Sequence, residues 1–449
     1  MTRETSALDL SRWIRDGDCG AIAQAFQGRH PADAARLLAE LTPQEVARYV
    51  ELAGPSESLT VFEFVPFELQ KESIQHLSRD ARVGIISLMS PDDRVDLVEE
   101  LDEAFRDRLL SRLMQAEKQN ILNLMTYPED SAGAHMTTDY AMLRSGATIR
   151  DALDQLRLQA PKKETIYYVY VVDQGRHLIG FLSLRDLIMA PSDKLVGEVM
   201  RRKVISVHVH EDIEDVAKEM THYDFLAMPV VDGEERLVGI ITYDDIFDVM
   251  EEEATEDMYR LANLDTEEKI SSPLHRSVKL RAPWLMINIC TAILVAYSVH
   301  MFSSTIEQFV ALAALMPIVA MLGGNAGNQS LTVVVRALAL GEITDQSNWR
   351  VMLKELGVGA SNGLICGLVI GGVSFLWYGN LWLALILWIA MIGNLLLAGF
   401  CGALVPITLR KLKLDPALGS SIFVTTATDV GGFIIFLGLA TLLLRFLVG

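Results

Sequence analysis

No Asp, Glu, Lys or Arg occurs in the 54 residues from Leu356 to Leu409. Nothing constrains the fold of the chain more, because a run of that length has no charged face to turn toward water. A helix that spans a bilayer needs about 20 apolar residues, so the run holds two spans, parted near Trp377-Tyr378-Gly379-Asn380. Two other uncharged runs, Ala282–Ile306 and Gln308–Val335, precede it, and Leu418–Leu444 follows with Asp429 as its one charge. These runs predict five spans. Cytoplasmic loops collect Lys and Arg. Arg276, Lys279 and Arg281 precede span one, Arg350 and Lys354 lie between spans two and three, and Arg410, Lys411 and Lys413 lie between four and five. The alternate loops, Ser303–Gln308 and Tyr378–Leu381, carry no basic residue, so the N-terminus is expected inside the cell and the C-terminus outside.

The chain has 449 residues and a net charge of −19, unevenly spread. From Ala282 onward there are seven basic and six acidic residues; the first 281 hold 32 basic and 52 acidic ones, a net of −20. Such acidity argues against nucleic acid as a partner, since binding a polyphosphate draws on Lys and Arg, and it suits cations. Three of the four cysteines, Cys290, Cys366 and Cys401, fall in apolar runs and Cys19 stands alone, so no disulfide framework is readable. Met1–Trp13 carries four charges and no apolar stretch, unlike a signal peptide.

Within the membrane third, Asp429 lies about 16 Å into span five, near mid-bilayer. A carboxylate there costs at least a few kcal/mol and is kept for a pathway or a paired charge. Arg336 and Arg445 sit at span ends, so no intramembrane cation is at hand and the pathway reading is favoured. Thr425, at i−4, shares its face. In span two, Pro317 and Gly323-Gly324-Asn325-Ala326-Gly327-Asn328-Gln329 place breakers and amides at bilayer depth. They fit either irregular backbone lining a watery cavity or close packing through small residues.

From Ile149 the chain repeats itself. Leu178-Ile-Gly180-Phe-Leu-Ser183-Leu-Arg-Asp186 matches Leu237-Val-Gly239-Ile-Ile-Thr242-Tyr-Asp-Asp245 at an offset of 59, and Ile149-Arg-Asp151 matches Ile213-Glu-Asp215 at 64, so the first copy carries five extra residues near 160–164. Each copy reads as helix, apolar β run, turn, β run, helix. The pair resembles a tandem cystathionine-β-synthase (CBS) domain, an α/β module whose Gly-h-h-Ser/Thr-x-x-Asp signature stands here as Gly180…Ser183…Asp186 and Gly239…Thr242…Asp245. The resemblance implies adenine-nucleotide (ATP) binding, with the aspartates on ribose and the hydroxyls on phosphate; Arg185 lies within the first signature, and Tyr168, Tyr170, Phe225 and Pro229 lie where they could provide stacking surface. Helix capping by the same Ser/Thr and Asp residues is the alternative.

Upstream, Pro43, Pro66 and Pro91 each stand at an expected first helical position with an acid two residues on, predicting stacked helical hairpins over residues 1–133. After the second repeat, Asp244 to Asp257 reads as an acidic helix leading to the membrane. Glu253 and Asp257 are like charges one turn apart, which repel unless a cation lies between them.

The order of parts resembles the MgtE family of magnesium channels and transporters. Its motifs stand as Gly323-Gly-Asn325-x-Gly327-Asn328-Gln329-Ser330 with Arg336-Ala-Leu, Leu414-Asp415-Pro416-Ala417, and Thr425-x-x-x-Asp429-x-x-Gly432. The resemblance implies a multidomain chain: an all-α helical-repeat N domain (1–133), an α/β tandem CBS pair (134–250), a connecting plug helix (251–275) and a five-helix transmembrane domain (276–449). It further implies a homodimer in the lipid bilayer of the cell membrane with no covalent chemistry. Mg2+ would be both cargo and regulator. Asp429, with Asn328, Thr425 and Asp415, would line the pore. Asp92, Asp96, Asp212, Glu214, Asp224, Asp245, Asp248, Glu253, Glu256 and Asp257 would bind the cytosolic ions that close it. A hydrated Mg2+ held by one or two carboxylates and carbonyls fits a lone Asp with amides, and no Cys or Met cluster suggests a softer metal. A permease for Co2+, Ni2+ or Mn2+ and a membrane-anchored nucleotide sensor are the competing readings.

Overall fold

In the structure, a computed structural model, residues 6–448 are described except 267, 269, 271 and 344–347. The chain forms two compact units, Met1–Glu251 and Glu252–Gly449.

Proline sets much of the rhythm of the first unit. Helices α1 to α10 run Ala7–Asp16, Cys19–Phe26, Pro31–Leu38, Pro43–Ala53, Pro55–Phe62, Phe67–His76, Arg79–Leu88, Pro91–Glu99, Glu103–Leu110 and Gln115–Leu124. Pro31, Pro43, Pro55 and Pro91 each open a helix, where the missing N–H would have had no intrahelical partner anyway. Pro66 falls one residue earlier than its spacing suggested, capping α6. At α4, Thr42 and Glu45 form a reciprocal capping box. Leu10, Ile14, Leu38, Val50, Phe62, Ile74 and Ile85 have essentially no exposure and form a core continuous with Met220, Val230, Ile241 and Ile246 of the second repeat. The helical region and that repeat therefore share one hydrophobic interior.

The first repeat comprises β1 (Tyr140–Arg144), α11 (Ile149–Gln159), β2 (Thr165–Val172), β3 (Leu178–Ser183), α12 (Leu184–Met189) and α13 (Val196–Val199). The second comprises β4 (Val207–His208), α14 (Ile213–Tyr223), β5 (Ala227–Val231), β6 (Leu237–Thr242) and α15 (Tyr243–Leu261). Each sheet has three strands, the first two parallel and the last two antiparallel. Register repeats with the sequence: Tyr168 faces Ser183 as Ala227 faces Thr242, and Val171 faces Gly180 as Val230 faces Gly239. The five extra residues form the 3-10 turn Ala160–Lys162 and its exit. The leading strands β1 and β4 were not foreseen. The acidic helix α15 is one piece with the last repeat helix and ends at Leu261, well short of the 251–275 expected for a separate connector.

The second unit contains five helices long and apolar enough to cross a membrane: α16 (Leu274–His300), then, after a short α17 (Ser303–Gln308), α18 (Ala311–Ala339), α19 (Asn348–Tyr378), α20 (Leu381–Lys411) and α21 (Ser420–Leu442). The break between α19 and α20 falls at Gly379-Asn380, as the uncharged run required; Gly379 has φ +64° and Asn380 caps α20. Of the two readings open for Gly323–Gln329, irregular backbone is not the one seen: α18 is helical throughout. A neighbouring side chain lies where a Cβ on Gly327 would go, that of Val424, so here the small residues serve packing. Glu355 of α19, 5% exposed, accepts a hydrogen bond from Ser330 Oγ of α18 at 2.7 Å.

Candidate cation sites

Helices α18 and α21 pack along a polar seam. Ser421 Oγ donates to Asn328 Oδ1 at 3.1 Å, and the Thr425 methyl lies beside Gly324, so Asn328, Ser421 and Thr425 share one seam. Thr425 Oγ1 donates back to the Ser421 carbonyl at 2.8 Å, leaving that hydroxyl committed to its own helix. Asp429 follows one turn after Thr425, about 14 Å along α21 from its start. It is half-buried and makes no hydrogen bond or ion pair among the described residues. An ionised group left without a partner at that depth is unfavourable by several kcal/mol unless a cation or water meets it.

Asn394 of α20 holds the two helices from behind. It has no exposure, donates Nδ2 to the Val319 carbonyl at 2.8 Å, and occupies the space beside both Gly323 and Gly432. Its Oδ1 has no partner. Nothing in the sequence singled it out, since an Asn amid an apolar run gives no clue to which helices it touches.

Asp415, in the turn before α21, pairs with Arg260 near the end of α15, and Arg260 also pairs with Glu256. Two of the expected cation ligands are thus joined through a guanidinium here. Glu253 and Asp257 lie one turn apart on the same helix.

In the first unit the acids gather. Asp92 on α8 is 8% exposed, and its Oδ1 has no hydrogen-bond partner. Burial, then Asp245, Asp93 and Glu164, push its carboxyl well above the usual range. Burial likewise pushes Asp245 up to about 6, with Asp244 and Asp93 adding to it against a hydrogen bond from Thr242. Glu63 and Glu164 rise to about 7 through desolvation and neighbouring acids, an effect tempered by their solvent-facing side chains. Desolvation and Asp244 also raise Asp93, and desolvation with Glu251, Asp244 and Asp93 raises Asp248. The sequence pointed to Asp92, Asp245 and Asp248, and missed Glu63, Asp93 and Glu164, which look like ordinary surface acids. Asp96, on α8 with Asp92, has an exposed side chain. Among the described residues no three acids or imidazoles converge tightly enough to hold a bare metal ion. An ion that keeps its water needs no such closeness.

Three further expected ligands have local roles. Asp212 caps α14, Glu214 pairs with Lys218 at 2.8 Å, and Asp224 ends α14 in the left-handed region at φ +53°.

The two signature aspartates differ. In the first repeat Ser183 and Asp186 form a reciprocal capping box, and Arg201 approaches Asp186 at 3.4 Å. Burial opposes ionisation of Asp186, but bonds from Ser183 and the Arg201 charge outweigh it and hold the carboxyl below its usual range. Tyr168 meets Phe181 edge-on at 5.9 Å, Phe225 stacks on Tyr223 at 5.4 Å, and Arg185 is exposed. In the second repeat Thr242 Oγ1 donates to Asp245 at 2.5 Å, and that aspartate belongs to the acidic cleft. Tyr170 and Pro229, expected as stacking surface, are buried; Tyr170 is 2% exposed inside a core with Tyr140, Ala227 and Ile240. Their strands turn those positions inward.

The family model described as the divalent cation transporter MgtE matches residues 316–439, the MgtE intracellular N domain matches 29–130, and the CBS domain matches twice, at 132–193 and 196–252. A magnesium transporter MgtE from Thermus thermophilus is 38% identical over 98% of this chain and 99% of its own length. The chain belongs to the MgtE family. An MgtE magnesium transporter from Bacillus subtilis is 32% identical over 98% of each chain. Among solved structures, the soluble part of a magnesium transporter is 35% identical with a TM-score of 0.52, covering 55% of this chain and 98% of that one. The cytosolic domain of the Mg2+ channel MgtE in complex with ATP is 37% identical with a TM-score of 0.51, covering 54% and 99%. The helical N domain, the CBS pair and the five candidate membrane helices of an MgtE chain are thus all present.

Proposed function

We propose that this MgtE chain is a magnesium-selective channel of the cell membrane, working as a homodimer with its N-terminal region in the cytosol and its C-terminus outside. The observation that carries the reading is Asp429, an acid without a protein partner midway along an apolar helix, beside a seam of Asn328, Ser421 and Thr425. A carboxylate among amide and carbonyl oxygens suits a cation that crosses with part of its water in place. Two copies of Asp429 across a dimer axis would complete such a site.

Gating follows from the cleft. With its acids ionised, Asp92, Asp93, Asp245 and their neighbours repel one another; cytosolic Mg2+ screens that repulsion and favours the closed arrangement. ATP, which the related cytosolic domain holds, would act at Asp186 with Tyr168, Arg185 and Phe225, displacing Arg201 or the capping bond. No bond is made or broken in the cargo, so the chain is not an enzyme.

The test is Mg2+ uptake by proteoliposomes, with Co2+, Ni2+ and Mn2+ as competitors. Uptake dependent on Asp429 and resistant to those ions is expected. Uptake unchanged in Asp429→Ala sinks the pore assignment, and stronger uptake of a competitor makes the chain a permease for that ion.

A further inference from the structure

A cavity of about 280 Å³ lies in the membrane unit and one of about 270 Å³ in the first unit, away from the acidic cleft. The second is built from two periodicities. Asn120, Asn123, Leu124 and Tyr127 form one face of α10 and its exit, at i, i+3, i+4 and i+7; Met136, Thr138 and Tyr140 form one face of the extended chain entering β1. Val238 of β6 and Arg176 of the β2–β3 turn close it. Asn120 Nδ2 donates to Thr138 Oγ1 at 3.0 Å and braces the two walls.

Two polar groups lining this cavity keep bonding capacity unused, the guanidinium of Arg176, an exposed residue, and the amide oxygen of Asn120. Arg176 donates to Tyr140 Oη at 2.5 Å and to the Leu237 carbonyl at 3.3 Å, both neutral oxygens, and no carboxylate pairs with it among the described residues. The Oδ1 of Asn120 is buried and accepts nothing. A buried acceptor without a donor is unfavourable by about 1–3 kcal/mol.

The turn does not explain the arginine. Arg176 adopts φ +68°, and Glu235, its equivalent at offset 59, adopts φ +59°. The left-handed conformation is thus a property of both turns, suited to Gly or Asn, whereas the guanidinium belongs to one copy alone.

We propose that the cavity binds a small organic oxyanion, a carboxylate or phosphate monoester that also carries a hydroxyl or amino donor. The oxyanion takes the free edge of Arg176, whose fork matches it in two bonds. The donor satisfies Asn120 Oδ1, and the carbon skeleton rests on Leu124, Met136 and Val238. A volume just under the roughly 300 Å³ of drug-sized sites selects a ligand smaller than a nucleoside triphosphate. The proposal is independent of transport, since binding is read directly.

The experiment is calorimetry on the detergent-solubilised full chain without divalent ions, using glycerol 3-phosphate and glycerate, with inorganic phosphate and glycerol as partial probes. One organic anion is expected to bind once per chain, inorganic phosphate about tenfold or more weaker. Arg176→Gly keeps the turn and relaxes its backbone, so its thermal midpoint is expected to hold or rise while affinity falls about ten- to hundredfold. Glu235→Gly relaxes the other turn and keeps full affinity. No binding of either organic anion to the unaltered chain overturns the proposal, as does binding that survives Arg176→Gly, equal affinity for inorganic phosphate, or equal loss in Glu235→Gly.

Discussion

On the proposed function, the acidic cleft and the membrane seam prepare for the same kind of ion by opposite means. In the cleft, Asp92, Asp93, Glu164 and Asp245 crowd until burial and mutual repulsion raise their carboxyls. In the seam, Asp429 has no ion-pair partner among the described residues. The difference is one of medium. Water and salt weaken each exposed charge, with a screening length near 8 Å at physiological ionic strength, so a cytosolic site gains strength by numbers. In a low-dielectric span one carboxylate per chain would suffice, and a further unpaired one in the same chain would be hard to hold. Crowded acids would also make a graded, reversible site, as the proposed gating requires.

The sharpest way to break that contrast is to remove one charge from each. Asp429→Asn is expected to lower Mg2+ uptake by about a hundredfold or more, the scale of losing several kcal/mol of cation stabilisation. Asp92→Asn with Asp245→Asn is expected to do the reverse at millimolar magnesium, raising uptake because closure fails; magnesium is expected to protect Glu251–Asp257 from proteolysis in the unaltered chain and not in this double variant. Loss of uptake in both would mean that the cleft belongs to the conduction path.

Acidity should substitute for magnesium in the cleft and not in the seam. Because Asp245 titrates near 6 when folded against 3.8 in the ordinary range, its protonation stabilises the metal-free fold. That contribution is complete below about pH 4 and is lost as pH rises through about 6 to 7, where Glu63 and Glu164 also ionise. It amounts to at most about 3 kcal/mol for Asp245. Thermal midpoints of the magnesium-free chain are therefore expected to fall between pH 5 and 8, less so in Asp245→Asn, with magnesium restoring most at pH 8. A flat profile would show that the cleft is already relaxed.

The smallest effect separates the two signature aspartates. Arg201→Met is expected to let the Asp186 carboxyl rise toward its usual range and to destabilise by about 0.5 kcal/mol or less, since the guanidinium is 64% exposed. It should leave magnesium protection unchanged. Chemical-shift titration of Asp186 checks it. A change in magnesium response would place both repeats in one electrostatic system.

These residues also mark how far sequence carried the fold and the sites. Runs without charge located five helices and the break at Gly379, because desolvating a charge in a bilayer has few escapes. Asp429 stood out for the same reason. The repeat was legible down to strand register, yet β4 was missed because two residues cannot show an alternation. The unbroken helix of α18 through Gly323–Gln329 was hidden, since what packs against it, Asn394 and Val424, arrives from helices far along the chain. Glu63 and Glu164 were missed for a related reason: an acid's neighbours across space leave no mark on its own segment. Tyr170 looked available for stacking because its strand is buried on both faces, where alternation carries no information.

Asn394 ties three positions into one mutational unit. An added methyl at Gly323 or Gly432 would collide with its amide, and Gly432 would place one 2.8 Å from it. Neither glycine can grow unless residue 394 shrinks, and a shrunken residue 394 leaves a gap that either glycine could fill. Chains descended from this one should therefore change these positions together or keep all three, giving a covariation signal on helices α18, α20 and α21 that owes nothing to the ion.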